Sequence, residues 1–290
     1  MSPKDSAIAT IAYADVFDYP LTRKEYYDWA LFSSSNFPRG SFVDQKNGFL
    51  FLRGRSKLVG IRNGRQRWQE EKLAIARRAA GWLTIFPTVQ LVGITGGLPM
   101  NNAKKEDDID LFLVVAGGTI WITRLLVTVC MDILGLRRKP FVTRVANKIC
   151  LNMFVTQRGL RVPVGERDCF SAHEVLQMLP IWEQKGIYKK FLDANSWSRI
   201  YLPNAWESRY QRSVQTVFST PSVVVWVFRV FEFPAKLIQL AYMQTKKSNE
   251  VVTDSVLRFH PKDARIWIKR KLTARLKLLK IPLDKVFYAS

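Results

Sequence analysis

Histidine and cysteine are scarce in this 290-residue chain, with two of the former, His173 and His260, and three of the latter, Cys130, Cys150 and Cys169. The cysteines lie far apart and form no CxxC pair. That argues against a disulfide framework or a structural zinc site and points to a reducing cytoplasm. Acidic residues are also few: 24 Asp and Glu stand against 45 Lys and Arg, a formal net charge of +21. Such an imbalance raises the expectation of a polyanionic partner such as nucleic acid, nucleotide or an anionic membrane surface, with a basic solvated exterior as the simpler alternative. A long uncharged apolar run is missing as well. The most apolar stretch, residues 222–243, is interrupted by Arg229, Glu232 and Lys236, whereas a spanning helix needs about 20 nearly uncharged residues. It reads as a packed amphipathic helix bent at Pro234, with the three charges paired on one face. The N-terminal stretch carries Asp5, Asp15 and Asp18 through its short apolar part, unlike a secretory signal, so an intracellular protein is expected. Neither an internal repeat nor a low-complexity linker is visible.

What is present divides into three parts. Residues 7–17 read as a helix, and Thr22 three residues before Glu25 forms a capping box that starts a second one after Pro20. A glycine-bounded hairpin around NGFLFLRGR follows, with Arg53, Arg55 and Lys57 expected at its tip, so residues 1–60 predict a winged-helix-like domain able to approach a phosphate backbone. Residues 61–170 predict a small mixed-sheet core: a long basic amphipathic helix from Ile61 to Phe86, apolar strands at 89–95 and 109–115, the helix WITRLLVTVCMDILGL, and a third strand, KICLNMFVT. The remainder, 171–290, reads as a helical region ending in a strongly basic helix. That last helix suits a nucleotide lid, a nucleic-acid contact or a charged outer face. The nine tryptophans read mainly as core, and His173 and His260 as residues at helix starts. The fold class expected is α+β or α/β.

Chemistry concentrates in GITGGLPMNNAKKEDDIDLFLVV, residues 93–115. Side chains two apart on a strand share a face, so Asp108 and Asp110 project together while Ile109 packs behind. Two carboxylates that close raise each other's pKa unless a cation lies between them, and Mg²⁺ or Mn²⁺ suits hard oxygen ligands. Gly96 and Gly97 allow the backbone to approach a phosphate closely, and Asn101, Asn102 and Lys104 add donors and positive charge.

This run, Gly96-Gly97 followed by Asp108-Ile109-Asp110, resembles the signature of the DNA polymerase β-like nucleotidyltransferase superfamily. More widely, the order of FDYPLT, TGGLPMNNAKKEDDIDLFLV, KICLNMF and the late YM and FHP resembles uncharacterised bacterial nucleotidyltransferase-domain proteins with a winged-helix-like N-terminus. The resemblance implies transfer of a nucleoside monophosphate from an NTP to a nucleic acid, protein or small acceptor. Asp108 and Asp110 would hold metal and Gly96 and Gly97 the triphosphate. Two departures stand out: Gly97 replaces the commoner serine, and the third carboxylate is missing from the later strand, where Asn152 is the polar residue and Glu166 or Asp168 a loop substitute. An amide oxygen can ligate a metal but cannot act as a base. Asp107, where many relatives have serine, reads as a helper or loop cap. The alternative is a catalytically weakened protein that binds nucleotide or nucleic acid as a regulator.

Overall fold

A computed structural model describes residues 2–33, 42–139, 142–143, 145–184, 186–211, 222–244, 251–259 and 264–287. The fold is mixed α and β. Its centre is a six-stranded mixed sheet in the order β7-β4-β5-β6-β9-β8, built from β4 (Val89–Ile94), β5 (Ile109–Val115), β6 (Ile149–Thr156), β7 (Leu179–Glu183), β8 (Val251–Val252) and β9 (Val256–Arg258). β4 and β5 run antiparallel, whereas β5 and β6 are parallel and joined through α4 (Ile120–Ile133), the crossover that parallel pairing requires.

Strict alternation along β5 sorts its side chains between two cores. Ile109, Leu111, Leu113 and Val115 join a cluster with α3 (Lys57–Leu83), α4 and Ala235 of α9 (Glu232–Gln244). Phe112 and Val114 join a second cluster, with α1 (Pro3–Val16), α5 (Cys169–Gln177), α6 (Ile187–Ala194), α7 (Pro203–Gln211) and α10 (Ala264–Leu278). The sheet is therefore covered on both faces, which explains why its central strands are almost uninterruptedly apolar. Asp110 has the parity of Phe112, so it faces the α1/α5 side at the mouth of the strand.

The N-terminal part contains α1, β1 (Leu21–Thr22), α2 (Arg23–Asp28), β2 (Val43–Lys46) and β3 (Phe49–Leu52), with a three-stranded sheet ordered β1-β3-β2. The capping box forms: Glu25 N–H donates to Thr22 Oγ1 at 3.2 Å, and Thr22 N–H donates to Glu25 Oε2 at 2.9 Å. α1 is buried on nearly every side because it serves two cores, Ile8, Ala12 and Tyr13 facing the large one and Ala7, Ile11 and Ala14 a small one with Tyr26 and Leu50.

Several expectations are corrected. The hairpin tip is Asn47-Gly48, both with positive φ (51° and 80°), a turn for which Asn-Gly is the favoured pair. Arg53, Arg55 and Lys57 lie at its base instead. Arg55 is engaged with Asp15 at 2.9 Å and Asp18 at 2.6 Å, which removes it from a phosphate-contacting tip. The region after 171 is not wholly helical, since β7, β8 and β9 come from it and flank β4 and β6, so the central sheet draws strands from both sides of residue 170. The apolar stretch near 222–243 divides at Phe231 into α8 (Ser222–Val230) and α9. Pro234 falls in the first turn of α9, where a missing N–H costs nothing. Its three charges also go elsewhere: Arg229 Nε donates to Gly117 O at 3.0 Å, Lys236 pairs with Asp254 at 2.6 Å, and Glu232 accepts from the Trp121 and Ile122 N–H groups at 3.0–3.1 Å. Glu232 thereby caps α4 from 110 residues away, since Thr119 makes no side-chain cap there. Trp82, Trp226 and Trp267 are exposed rather than core. No helix among the described residues is long and apolar enough to cross a membrane.

Candidate metal centre

The turn between β4 and β5 forms one wall of the site. Thr95 N–H donates to Asp110 O at 3.0 Å, holding the two strands together up to the turn. Gly96 then takes φ +73°, and a Cβ placed there would lie 2.9 Å from Asp110 Oδ2. Glycine is thus required twice, for the left-handed backbone and for space beside the carboxylate. Gly97 differs: its φ is −78° and an added Cβ would make ordinary contacts at 3.5 Å, so a small side chain such as serine would fit.

The loop that follows is pinned from below. Lys72 on α3 is 1% exposed, and its ammonium donates to Asp107 O at 2.6 Å, Lys105 O at 3.3 Å and Asn147 Oδ1 at 2.8 Å. Burial lowers the Lys72 pKa although nearby acids oppose the shift. One lysine therefore ties the loop before β5 to the loop before β6 and sets the two strand mouths side by side. The Asp107 carboxylate accepts from Lys104 N–H at 2.8 Å, closing the loop locally. Asn102 donates to Phe17 O at 3.0 Å and accepts from Arg65, so its amide ties the loop to the end of α1. Asn101, with φ 54°, and Lys104 are exposed.

Above this loop, ligand atoms of Asp108, Asp110 and Cys150 all lie within 4.8 Å of one another, the one cluster among the described residues able to hold a metal ion. Parallel pairing places Cys150 directly beside Asp110, and the register then shifts, Phe112 pairing with Met153. β6 thus carries one more residue than β5 across this step, a bulge of the kind that re-aims side chains next to sites. Asn152 Nδ2 donates to Asp110 Oδ1 at 2.8 Å. Arg138 Nη1 sits 2.7 Å from Asp108 Oδ2 and 3.9 Å from Cys150 Sγ.

Negative charge is crowded here. Burial first, then the charge of Asp108, pushes the Asp110 carboxyl up to about 7. The Cys150 thiol is raised far above its ordinary value by burial and by Asp110 and Asp108, so it stays protonated on its own. Glu174 on α5 belongs to the same field. Its side chain remains open to water, yet protein surrounds it deeply enough that desolvation, followed by repulsion from Asp110, brings its carboxyl up to about 7.

The loop carboxylates considered from sequence are spent elsewhere. Glu166 holds Arg258 through bonds of 2.7 and 3.0 Å, with Arg265 at 3.4 Å. Asp168 caps α5, accepting from Ser171 N–H at 2.8 Å. His173 is buried, stacked on Tyr13 with centroids 3.8 Å apart, and its Nδ1–H donates to Cys169 O at 2.8 Å. Burial brings its pKa down to about 4, as expected for a neutral packing group. His260 lies outside the described residues.

Sequence reasoning missed Cys150, Arg138, Glu174 and Lys72. Only Cys150 left a usable trace, two positions before Asn152 on the strand already assigned. The donor set fits a divalent cation in part: two carboxylates suit Mg²⁺ or Mn²⁺, while a thiol favours a softer ion and so shifts preference from Mg²⁺ toward Mn²⁺ or Zn²⁺. No family model, curated protein or solved structure matches this chain.

Proposed function

We propose that this chain is a metal-dependent nucleotidyltransferase that moves a nucleoside monophosphate from an NTP to a nucleic-acid, protein or small-molecule acceptor. One observation carries the reading: a left-handed glycine presses against the second carboxylate of a pair whose oxygens converge with Cys150 within 4.8 Å. The sequence around it resembles the DNA polymerase β-like superfamily. In this reading Asp108 and Asp110 hold the ion, with Cys150 or the Asn152 amide beside them. A bound divalent ion supplies Lewis-acid polarisation of the α-phosphate and screens the leaving pyrophosphate.

The chain's own groups do the rest. Gly96 and Gly97 turn the backbone sharply at the end of β4, where its N–H groups can face phosphate oxygens, and the exposed Lys104 adds positive charge at the loop. Lys72 keeps the two strand mouths in register. Glu174, whose carboxyl is raised to about 7, is a group able to exchange a proton at the edge of the carboxylate field. The N-terminal sheet order β1-β3-β2, with α1 and α2 beside it, supports a winged-helix-like unit, which together with the net charge of +21 fits a nucleic-acid acceptor or partner.

A second reading has its own support. Arg138 already lies 2.7 Å from Asp108, a cation where the metal would sit, and the third vertex holds no carboxylate. A weakened domain that binds nucleotide or nucleic acid as a regulator fits those two features. Incubating the protein with each α-labelled NTP and Mg²⁺ or Mn²⁺, alone and with total RNA or cell extract, separates the readings. Label moved to an acceptor by wild type and not by the Asp108→Ala, Asp110→Ala double variant supports the enzyme; nucleotide binding without transfer supports the regulator.

A further inference from the structure

Among the described residues, exposed large apolar side chains concentrate on the α8–α9 pair. Val223 is 73% exposed, Trp226 63%, Val230 58%, Phe231 54%, Phe233 68% and Ile238 62%. At roughly 100° per residue, these outward positions of α8 and its following residue sweep an arc of about 140°, much wider than a stripe left over from imperfect packing. An apolar area of this kind on a folded protein marks an interaction surface.

We propose that this face seats the protein on an anionic lipid bilayer as a peripheral, interfacial element. Three observations choose that occupant. The first is charge. The single carboxylate on either helix, Glu232, turns inward to cap α4, so the two helices present no acidic group outward, while Arg229 is exposed on α8 and the chain as a whole carries +21. An anionic surface complements this, whereas a second copy would bring +21 against +21. The second is composition. Trp226 with Phe231 and Phe233, flanked by Val and Ile, is the mix that settles at the boundary of headgroups and acyl chains. The third is breadth, because the two helices offer exposed apolar side chains over a wide arc, which a fluid bilayer can cover without a matching groove. Neither helix is long enough to span, so this face lies on the membrane rather than across it.

The test is flotation of the full-length protein with vesicles of phosphatidylglycerol and phosphatidylcholine and, separately, of phosphatidylcholine alone. It is repeated with the double variant Trp226→Asp, Phe231→Asp, and light scattering after gel filtration is recorded for both proteins. Both side chains point outward, so the variant should keep the wild-type circular dichroism; Trp226→Ser, Phe231→Ser serves if it does not. The expected result is flotation with the anionic vesicles, weak or no flotation with the zwitterionic ones, and a loss of about tenfold or more in the variant. Absence of flotation, or flotation that the variant leaves unchanged, overturns the proposal. So does a wild-type dimer abolished by the variant without vesicle binding, since it assigns the face to a second copy.

Discussion

Two groups of carboxylates in this protein are treated in opposite ways. In the N-terminal part every buried acid meets a guanidinium. Arg62 clasps Glu25 through bonds of 2.6 and 2.8 Å and lies 4.1 Å over the Tyr19 ring, and Asp15 receives Arg55 at 2.9 Å and Arg275 at 2.5 Å. Burial opposes the charge on Glu25, yet hydrogen bonds from Arg62 and Tyr19 win and hold its carboxyl below the ordinary value. At the mouth of β5 the balance reverses. Asp108, Asp110 and Glu174 share one neighbourhood with, among the described residues, a single close guanidinium, and Asp110 and Glu174 are pushed up to about 7. Neutralised acids hold the N-terminal part and α10 together. An acid pair left short of positive charge is what a cation-binding site requires.

The largest effect expected from breaking this contrast is at the site. Asp108→Ala with Asp110→Ala should reduce any metal-dependent transfer by about a thousandfold or more and leave the urea midpoint at or above that of wild type, both measured on the same preparation. The reverse pattern is expected on the other side. Glu25→Ala should cost about 2–3 kcal/mol in urea unfolding, because it strands the buried Arg62 guanidinium, and metal affinity should not change. If the two variants have the same profile, the division between structural and functional carboxylates fails.

A pH comparison sharpens the point. The folded-state pKa of Asp110, about 7, lies above the ordinary carboxylate value, so the metal-free fold holds its proton after the unfolded chain has released it. Stability attributable to this group is unaffected below about pH 4 and is lost progressively as pH rises to about 7. Asp110→Asn should therefore match wild type at low pH in chelator and exceed it by about 1–2 kcal/mol at pH 8, read from urea midpoints. A variant advantage that grows toward acid would reverse the assigned sign. The smallest effect is expected from Cys150→Ser. It should alter stability by under about 1 kcal/mol and move the metal preference from Mn²⁺ toward Mg²⁺ in parallel titrations.

Much of the fold was legible because β4, β5 and β6 are apolar runs bounded by turn residues, and because Thr22 and Glu25 carry a complete helix start. β7 escaped notice because LPIWE carries a proline, Pro180, at its second position and lies at a sheet edge, where no continuous apolar run is needed. The break between α8 and α9 was placed at Pro234 rather than Phe231, since sequence does not tell a proline within a helix from one in its first turn. At the site, Gly96, Asp108 and Asp110 were readable from spacing alone. Cys150 depended on strand register and a bulge, Arg138 on a loop path, and Glu174 on how α5 lies across the sheet. None of these leaves a local pattern in the chain.

The most direct test of the central claim is titration of the purified protein with Mn²⁺, followed by loss of the free-ion electron paramagnetic resonance signal, with and without ATP, beside an Asp108→Asn, Asp110→Asn variant. The account predicts saturable binding by wild type that ATP tightens and that the variant loses. Equal binding by wild type and variant, or none by either, would contradict a metal centre at the mouth of β5.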